Sequence, residues 1–189
     1  MIHISIEGMD GVGKSTTCKI LAEKLGYVFI EKPLHYLLDK NEHSFDEYKR
    51  VRDKVNVNPN RDFTSWFYGL GSLYMYETFK DKNIITDRHL ASNYAWSGSD
   101  YNEDVYELLV KKLGAPKLTV IIYSPSDVIV KRLISRNKDD KDIARAKESE
   151  RIYKRMIEFC EKYKFPYLVI DTSELTPDEV VNRIIEELR

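Results

Sequence analysis

Residues Glu7-Gly8-Met9-Asp10-Gly11-Val12-Gly13-Lys14-Ser15-Thr16 contain the pattern G-x-x-x-x-G-K-[ST] without a mismatch. Glycines at Gly8, Gly11 and Gly13 open backbone angles closed to other residues. The main-chain N–H groups of Gly8, Gly11, Val12 and Gly13 can then approach phosphate oxygens. Lys14 brings a compact positive charge to the β and γ phosphates, and the Ser15 hydroxyl is a ligand for Mg²⁺. The pattern gains meaning from its flanks. Ile2, Ile4 and Ile6 alternate as in a strand, and Thr17 to Leu25 carries apolar residues at helical spacing before Gly26, a good helix terminator. A strand, a glycine-rich loop and a helix in succession define a nucleotide-binding site.

The chain has 189 residues and a formal net charge of −1, which suggests one domain with a full core and gives no call for a nucleic-acid partner. Its two cysteines, Cys18 and Cys160, lack the paired spacing of a zinc site or a disulfide framework, and packing accounts for both. No apolar run reaches the ~20 residues of a membrane span. The first strand begins at once, without room for a signal peptide, so the expected location is the cytoplasm.

Beyond the first helix, Tyr27 to Ile30 reads as a second strand that stops at Glu31-Lys32-Pro33. The segment from His35 to Asn60 has no single reading, although Phe45 to Arg52 can form a helix. A long helix follows, with Asp62 or Thr64 as its cap. Trp66, Phe67, Leu70, Leu73, Tyr74 and Phe79 form one broad apolar face on it, which predicts deep burial. Ile84-Ile85-Thr86-Asp87 is a third strand, Val105 to Leu113 a helix, and Leu118 to Tyr123 a near-continuous apolar strand of the type covered on both faces. Helices follow from Ser126, over Arg151 to Tyr163 and from Thr176, with a strand at Tyr167 to Ile170. This alternation predicts a doubly wound α/β domain over residues 1–189, with a five-stranded parallel sheet and helices on both faces.

Ligands of such sheets bind beyond the carboxyl ends of the strands, which here carry Glu7 to Thr16, Glu31 to Pro33, Asp87 to His89, Tyr123-Ser124 and Asp171 to Ser173. Transfer of a phosphoryl group needs positioning and charge neutralisation more than covalent chemistry. Asp87 can reach Mg²⁺ or its waters, and Arg88 can fork onto an acceptor's phosphate or 5′ oxygen. Arg132 and Arg136 stand four apart on one helix face. The charged stretch after them, 137–148, carries Arg145 and has the composition of an arginine-bearing lid, or of a solvated loop. Trp66, Phe67, Tyr68, Tyr74 and Tyr76 offer rings that could stack on a base, with Phe67 the candidate, although core packing explains most of them. His3 and His89 have no metal-ligand partners at suitable spacing.

The loop E-G-M-D-G-V-G-K-S-T resembles that of thymidylate kinases, which read E-G-x-D-G-x-G-K-S-T, and Thr86-Asp87-Arg88-His89 resembles their D-R-Y segment. The likeness runs through nearly the whole chain. It implies a kinase that uses ATP and Mg²⁺ and acts on a deoxynucleoside monophosphate, most simply dTMP, as a homodimer. In this likeness Asp10 bonds the acceptor sugar's 3′-hydroxyl, and Lys14, Ser15 and Thr16 hold ATP phosphates and Mg²⁺. Asp87 and Arg88 bind metal waters and the acceptor phosphate, Arg132 lies against adenine, and Arg136 with lid arginines neutralises the transferring group.

The departures fall on the acceptor side. Glu31-Lys32-Pro33-Leu34-His35 stands where R-E-P-G-G-T is usual, no arginine occurs over Gly69 to Glu77, and His89 replaces the tyrosine. Related deoxynucleoside kinases carry a Glu-Pro element after the second strand whose glutamate acts as a base on a 5′-hydroxyl. Glu31, one residue further from Pro33, is the candidate for that role and the basis of an alternative reading. A third reading is a nucleotide-binding switch, disfavoured because no N-K-x-D motif stands at a strand end.

Overall fold

The computed structural model describes residues 1–41 and 44–189, so within the segment that the sequence leaves open, residues 42 and 43 lie outside the described residues. Five strands, β1 (His3–Glu7), β2 (Val28–Glu31), β3 (Ile84–Asp87), β4 (Leu118–Tyr123) and β5 (Tyr167–Asp171), form one sheet in the order β2-β3-β1-β4-β5. All pairings are parallel. The chain leaves β1 one way to build β2 and β3 and the other way for β4 and β5, so the strand order reverses beside the phosphate loop. Helices cover both faces, as the alternation predicts. Helix α1 (Lys14–Leu25) packs against β1, β2 and β3 with α9 (Pro177–Glu187) beside it. The other layer has α5 (Leu90–Ser97) between α4 (Arg61–Thr78) and α8 (Ser149–Tyr163). The open segment contributes α2 (His35–Leu38) and α3 (Asp46–Asn56), and α6 (Glu103–Leu113) and α7 (Ser126–Arg136) are the remaining α-helices among the described residues.

Burial separates the strands. β1 is wholly buried and β4 nearly so, while β5 exposes Tyr167 and Val169 on the outer edge. The expectation of five strands covered on both faces therefore fails at β5, where an edge strand has one neighbour and alternates between core and solvent.

Two expectations for α4 are corrected. Its cap is Asn60, whose side chain accepts from the Asp62 and Phe63 amides at 2.9 and 3.3 Å, while Thr64 Oγ1 donates to the Val55 carbonyl. The helix is also not deeply buried. Phe63, Trp66, Leu70 and Leu73 remain 50, 43, 49 and 40% exposed. The inward stripe is instead made of Ser65, Gly69, Ser72 and Met75. Small residues there let the backbone approach closely: a Cβ on Gly69 would lie 2.9 Å from Leu109 of α6. The bulky apolar residues are left on the opposite face.

Because β1 is covered on both faces, its polar residues must be satisfied inside. His3 Nδ1 bonds the Tyr76 hydroxyl at 2.6 Å, and Nε2 bonds Thr86 Oγ1 at 2.9 Å. The His89 ring stands edge-on to His3 with centroids 4.8 Å apart. Burial pushes the His3 imidazole well below its ordinary range, with His89 adding to the effect, and burial takes His89 down to about 3. Folding thus holds both rings neutral, and below pH ~6.5 only the unfolded chain takes up their protons. Stability should be full above pH ~6.5 and fall as the pH drops, by up to about 1.4 kcal/mol per pH unit for each such ring. Urea unfolding between pH 7.5 and 4.5 measures this, and His3→Gln should give a shallower slope than the unsubstituted protein.

Candidate active site

Between β1 and α1 the chain must turn back on itself while its amides stay free, and two glycines make this possible. Gly8 has φ 144°, and a Cβ there would sit 2.5 Å from the Ile122 carbonyl oxygen of β4. Gly13, with φ 98°, precedes α1 without a side-chain cap, and the first turn of that helix carries no acidic residue. The positive end of α1 therefore opens toward the loop, an arrangement suited to phosphate. Thr16 is exposed on its first turn. Gly11 packs against Ile129 and Leu133 of α7, and the Val12 carbonyl accepts from Thr172 Oγ1 at 3.3 Å.

Lys14 is buried and donates to the Met9 carbonyl at 2.7 Å, with the Asp10 carboxylate 3.6 Å away. Burial and the Arg88 charge push its ammonium below the ordinary lysine range. Parallel pairing of β1 with β3 sets Ile6 opposite Asp87. That register brings Asp87 to the loop, where its Oδ2 accepts from Ser15 Oγ at 2.5 Å. These are a hydroxyl and a carboxylate, the hard oxygen donors that suit Mg²⁺ alongside phosphate oxygens. Among the described residues no group of three or more His, Cys, Asp and Glu could hold a metal.

Arg88 follows with φ 76°, left-handed for a non-glycine residue. Its Nη2 donates to Asp10 Oδ1 at 2.9 Å, while its buried Nη1 has no partner among the described residues. Burial would raise the Asp10 carboxyl, but the Arg88 and Lys14 charges outweigh it and hold the group well below the usual carboxylate range.

β2 ends beside Asp87, with Glu31 opposite it in the pairing register. Here the structure bears on the candidate base. Glu31 forms an ion pair with the adjacent Lys32, so its carboxylate is neutralised by its own neighbour. Lys32 has φ 51° and stands 4.9 Å from the Phe45 ring centroid. Burial brings its ammonium down to about 8, with Arg52 and Lys49 pushing the same way and Asp87 and Asp10 opposing. Lys32 therefore shares one electrostatic environment with Asp10, Asp87, Arg52 and Lys49. Arg52 also lies 6.0 Å from the Tyr48 ring, and Tyr48 stacks against Phe67 at 6.4 Å. Phe67 is half-buried and contributes to an aromatic wall between α3 and α4. Sequence reasoning named the Glu31-Lys32-Pro33 segment but passed over Lys32, Tyr48 and Arg52. The one available signal was the position of Lys32 at a strand end.

Arg132 and Arg136 share a helix but part company. Arg132 donates to Ser124 Oγ at 3.0 Å, the Thr172 carbonyl at 2.6 Å and the Ser173 carbonyl at 3.2 Å, bridging the ends of β4 and β5. Arg136 is exposed and ion-paired with Asp140. The charged stretch beyond includes a 3-10 helix, Lys141–Glu148. Almost wholly charged in sequence and without an evident apolar face, this segment nevertheless buries Ala146 and packs Ile143 against the core. Arg145 pairs with Asp142 at 3.4 Å and faces the Trp96 ring at 5.9 Å.

An open helix terminus for phosphate, a paired hydroxyl and carboxylate for a divalent cation, and a second cluster of cations one strand away together define a P-loop kinase of nucleotides or nucleosides. Residues 4–153 match the AAA_18 family, described as an AAA domain, and the chain belongs to it. It is 29% identical over 97% of its length to 83% of a Thermococcus gammatolerans protein named "Putative adenylate kinase". It is 26% identical over its whole length to 96% of a "Probable thymidylate kinase" of Methanocaldococcus jannaschii. Its fold is similar to a deoxyadenosine kinase from M. mycoides solved with dCMP and dCDP, at a TM-score of 0.64, 20% identity and coverage of 99% and 98% of the two chains.

Gly8→Ala tests the loop geometry. The added methyl meets main-chain oxygen at a φ hostile to side chains, so the melting temperature should fall by an amount equivalent to about 1–3 kcal/mol, and ATP should lose its stabilising effect in a thermal-shift titration.

Proposed function

We propose that this protein transfers the γ-phosphoryl group of ATP to a deoxynucleoside monophosphate, with dTMP as the leading acceptor. The observation that carries the reading is the charge of the acceptor side. Lys32 and Arg88 stand there with Lys49 and Arg52 nearby, Arg88 Nη1 is a buried donor without a partner among the described residues, and the carboxylate a 5′-hydroxyl would need, Glu31, is ion-paired to Lys32. A monophosphate oxygen is already anionic and needs no base. Thymine rests on the resemblance of the loop and of Asp87-Arg88.

In this reading Lys14, Ser15, Thr16 and the amides of Gly8, Gly11, Val12 and Gly13 hold the ATP phosphates, and Arg132 flanks adenine. Ser15 and Asp87 would hold Mg²⁺, which when bound neutralises charge on the β and γ phosphates. Asp10 orients the acceptor sugar, Phe67 lies along its base, and Arg88 and Lys32 hold its phosphate. An acceptor phosphate oxygen bonds to the γ phosphorus, the bond to the β–γ bridging oxygen breaks, and ADP leaves with the electron pair. Arg136, with Arg145 from the 137–148 lid, neutralises the charge in transit and excludes water. Both now pair with acids of the same segment, Asp140 and Asp142, and exchange those partners for phosphate on closure.

A second reading, phosphorylation of a deoxynucleoside at its 5′-hydroxyl with Glu31 as base, draws on the register that sets Glu31 beside Asp87. ADP release measured across nucleosides and monophosphates separates the two: turnover of nucleosides alone, abolished by Glu31→Gln, selects the second. If the first holds, Lys32→Ala raises KM for the monophosphate roughly tenfold with KM for ATP unchanged. Because the Lys32 ammonium titrates at about 8, kcat/KM for the acceptor should also decline as the pH rises through that value, and Lys32→Ala should remove the decline.

The exposed stripe of Phe63, Trp66, Leu70 and Leu73 on α4 supports the homodimer implied by the resemblance. Light scattering at micromolar concentration should give twice the chain mass, falling to a monomer for Leu70→Lys. A monomeric unsubstituted protein would remove the dimer from the account.

A further inference from the structure

The loop strand ends in a carboxylate with no assigned task. Glu7, the last residue of β1, is completely buried. Burial of a carboxylate is costly, and an apolar residue would suit a covered strand better, so its bonds identify what it is for. Glu7 Oε2 accepts from the His89 amide at 3.2 Å, from the Ser92 amide at 3.1 Å and from the Ser92 hydroxyl. All three donors belong to the start of α5. That helix lacks a cap of its own: His89 occupies the cap position without a side-chain bond, and the first turn contains no acidic residue. The orphan amides and positive end of a helix call for an anion. Here the anion comes from another element, the residue immediately before the phosphate loop.

The consequence falls on Arg88. Its left-handed backbone costs a non-glycine residue about 1–2 kcal/mol and needs restraint from outside. Both flanking peptides are fixed to consecutive residues of β1. The Arg88 amide donates to the Ile6 carbonyl at 2.9 Å, and the His89 amide donates to the Glu7 carboxylate. A locally capped α5 could shift against the loop, carrying Arg88 with it. Capped from β1, the helix start, Arg88 and the loop are one unit, and the guanidinium meets Asp10 at 2.9 Å. Burial holds the Glu7 carboxyl above the ordinary carboxylate range, and the bonds from Ser92 and His89 and the Arg88 charge offset only part of that rise.

We propose that Glu7 is a positioning residue for phosphoryl transfer, holding the first turn of α5 from the loop strand and thereby fixing the backbone turn that aims Arg88 at the acceptor phosphate. This rests on the acceptor role given to Arg88 under the proposed function. A double-mutant cycle between Glu7→Gln and Arg88→Ala tests it, with kcat/KM for the monophosphate and KM for ATP as readouts. Glu7→Gln alone should lower kcat/KM roughly tenfold with KM for ATP unchanged, and in the Arg88→Ala background it should cost nothing further. Equal losses in both backgrounds, or no loss in the first, would overturn the proposal while leaving the acceptor role of Arg88 standing. If Arg88→Ala alone leaves kcat/KM for the monophosphate unchanged, the acceptor role itself fails and this proposal falls with it. Ser92→Ala removes one of the three bonds without disturbing charge. It should reproduce the non-additivity with a smaller loss, about threefold, and decides the matter in the same two backgrounds if Glu7→Gln does not fold.

Discussion

The hydrogen bond from Ser15 to Asp87, 2.5 Å long, joins two residues 72 positions apart in the chain, and the sheet is what allows them to meet. β3 must lie against β1 rather than outside β2, in the register that puts Ile6 opposite Asp87. A slip of one residue would turn the carboxylate to the other face of the sheet. The same register carries Arg88 to Asp10, and the pairing of β2 with β3 places Glu31 beside Asp87. The β1–β3 pair thus underlies the positions proposed for donor phosphates, cation and acceptor, with β2 alongside, and the outer elements serve to hold that pair in place.

Charge around this pair is distributed unevenly, which gives the site its direction. On the loop side the positive groups are amides and one buried lysine, both suited to a triphosphate. On the β2 side stand Lys32, Arg88 and the basic residues of α3, with a carboxylate already neutralised. Lys32, Arg88 and Arg52 now pair with Glu31, Asp10 and Asp53; a monophosphate brings an anion for which they can exchange those partners, whereas a nucleoside brings none. The Asp10 carboxylate bridges the two halves, bonded to Arg88 and 3.6 Å from Lys14.

Much of this was legible in the sequence, because it depends on local chemistry. The phosphate loop is a contiguous pattern, Ile84-Ile85 opens a short strand and Leu118–Tyr123 is a near-continuous apolar run, and Thr176 with Glu179 forms the capping box that starts α9. What escaped depends on contacts remote in the chain. Apolar spacing on α4 could not reveal that its small residues face inward, since helical periodicity marks an apolar face without saying which neighbour it meets. Alternation in β1 suggested one covered face, while the second layer of helices buries His3, Ser5 and Glu7 as well. Lys32 looked like an ordinary charge before a proline until β3 brought Asp87 alongside.

The central claim is that an anionic phosphate, and not a hydroxyl, is received between Arg88 and Lys32. A crystal structure with a deoxynucleoside monophosphate and a non-hydrolysable ATP analogue tests it most directly. The account predicts the acceptor phosphate within hydrogen-bonding distance of Arg88 Nη1 and the Lys32 ammonium, with Glu31 still turned to Lys32. A Glu31 carboxylate on the acceptor's 5′ oxygen, with Lys32 displaced from the phosphate, would contradict it.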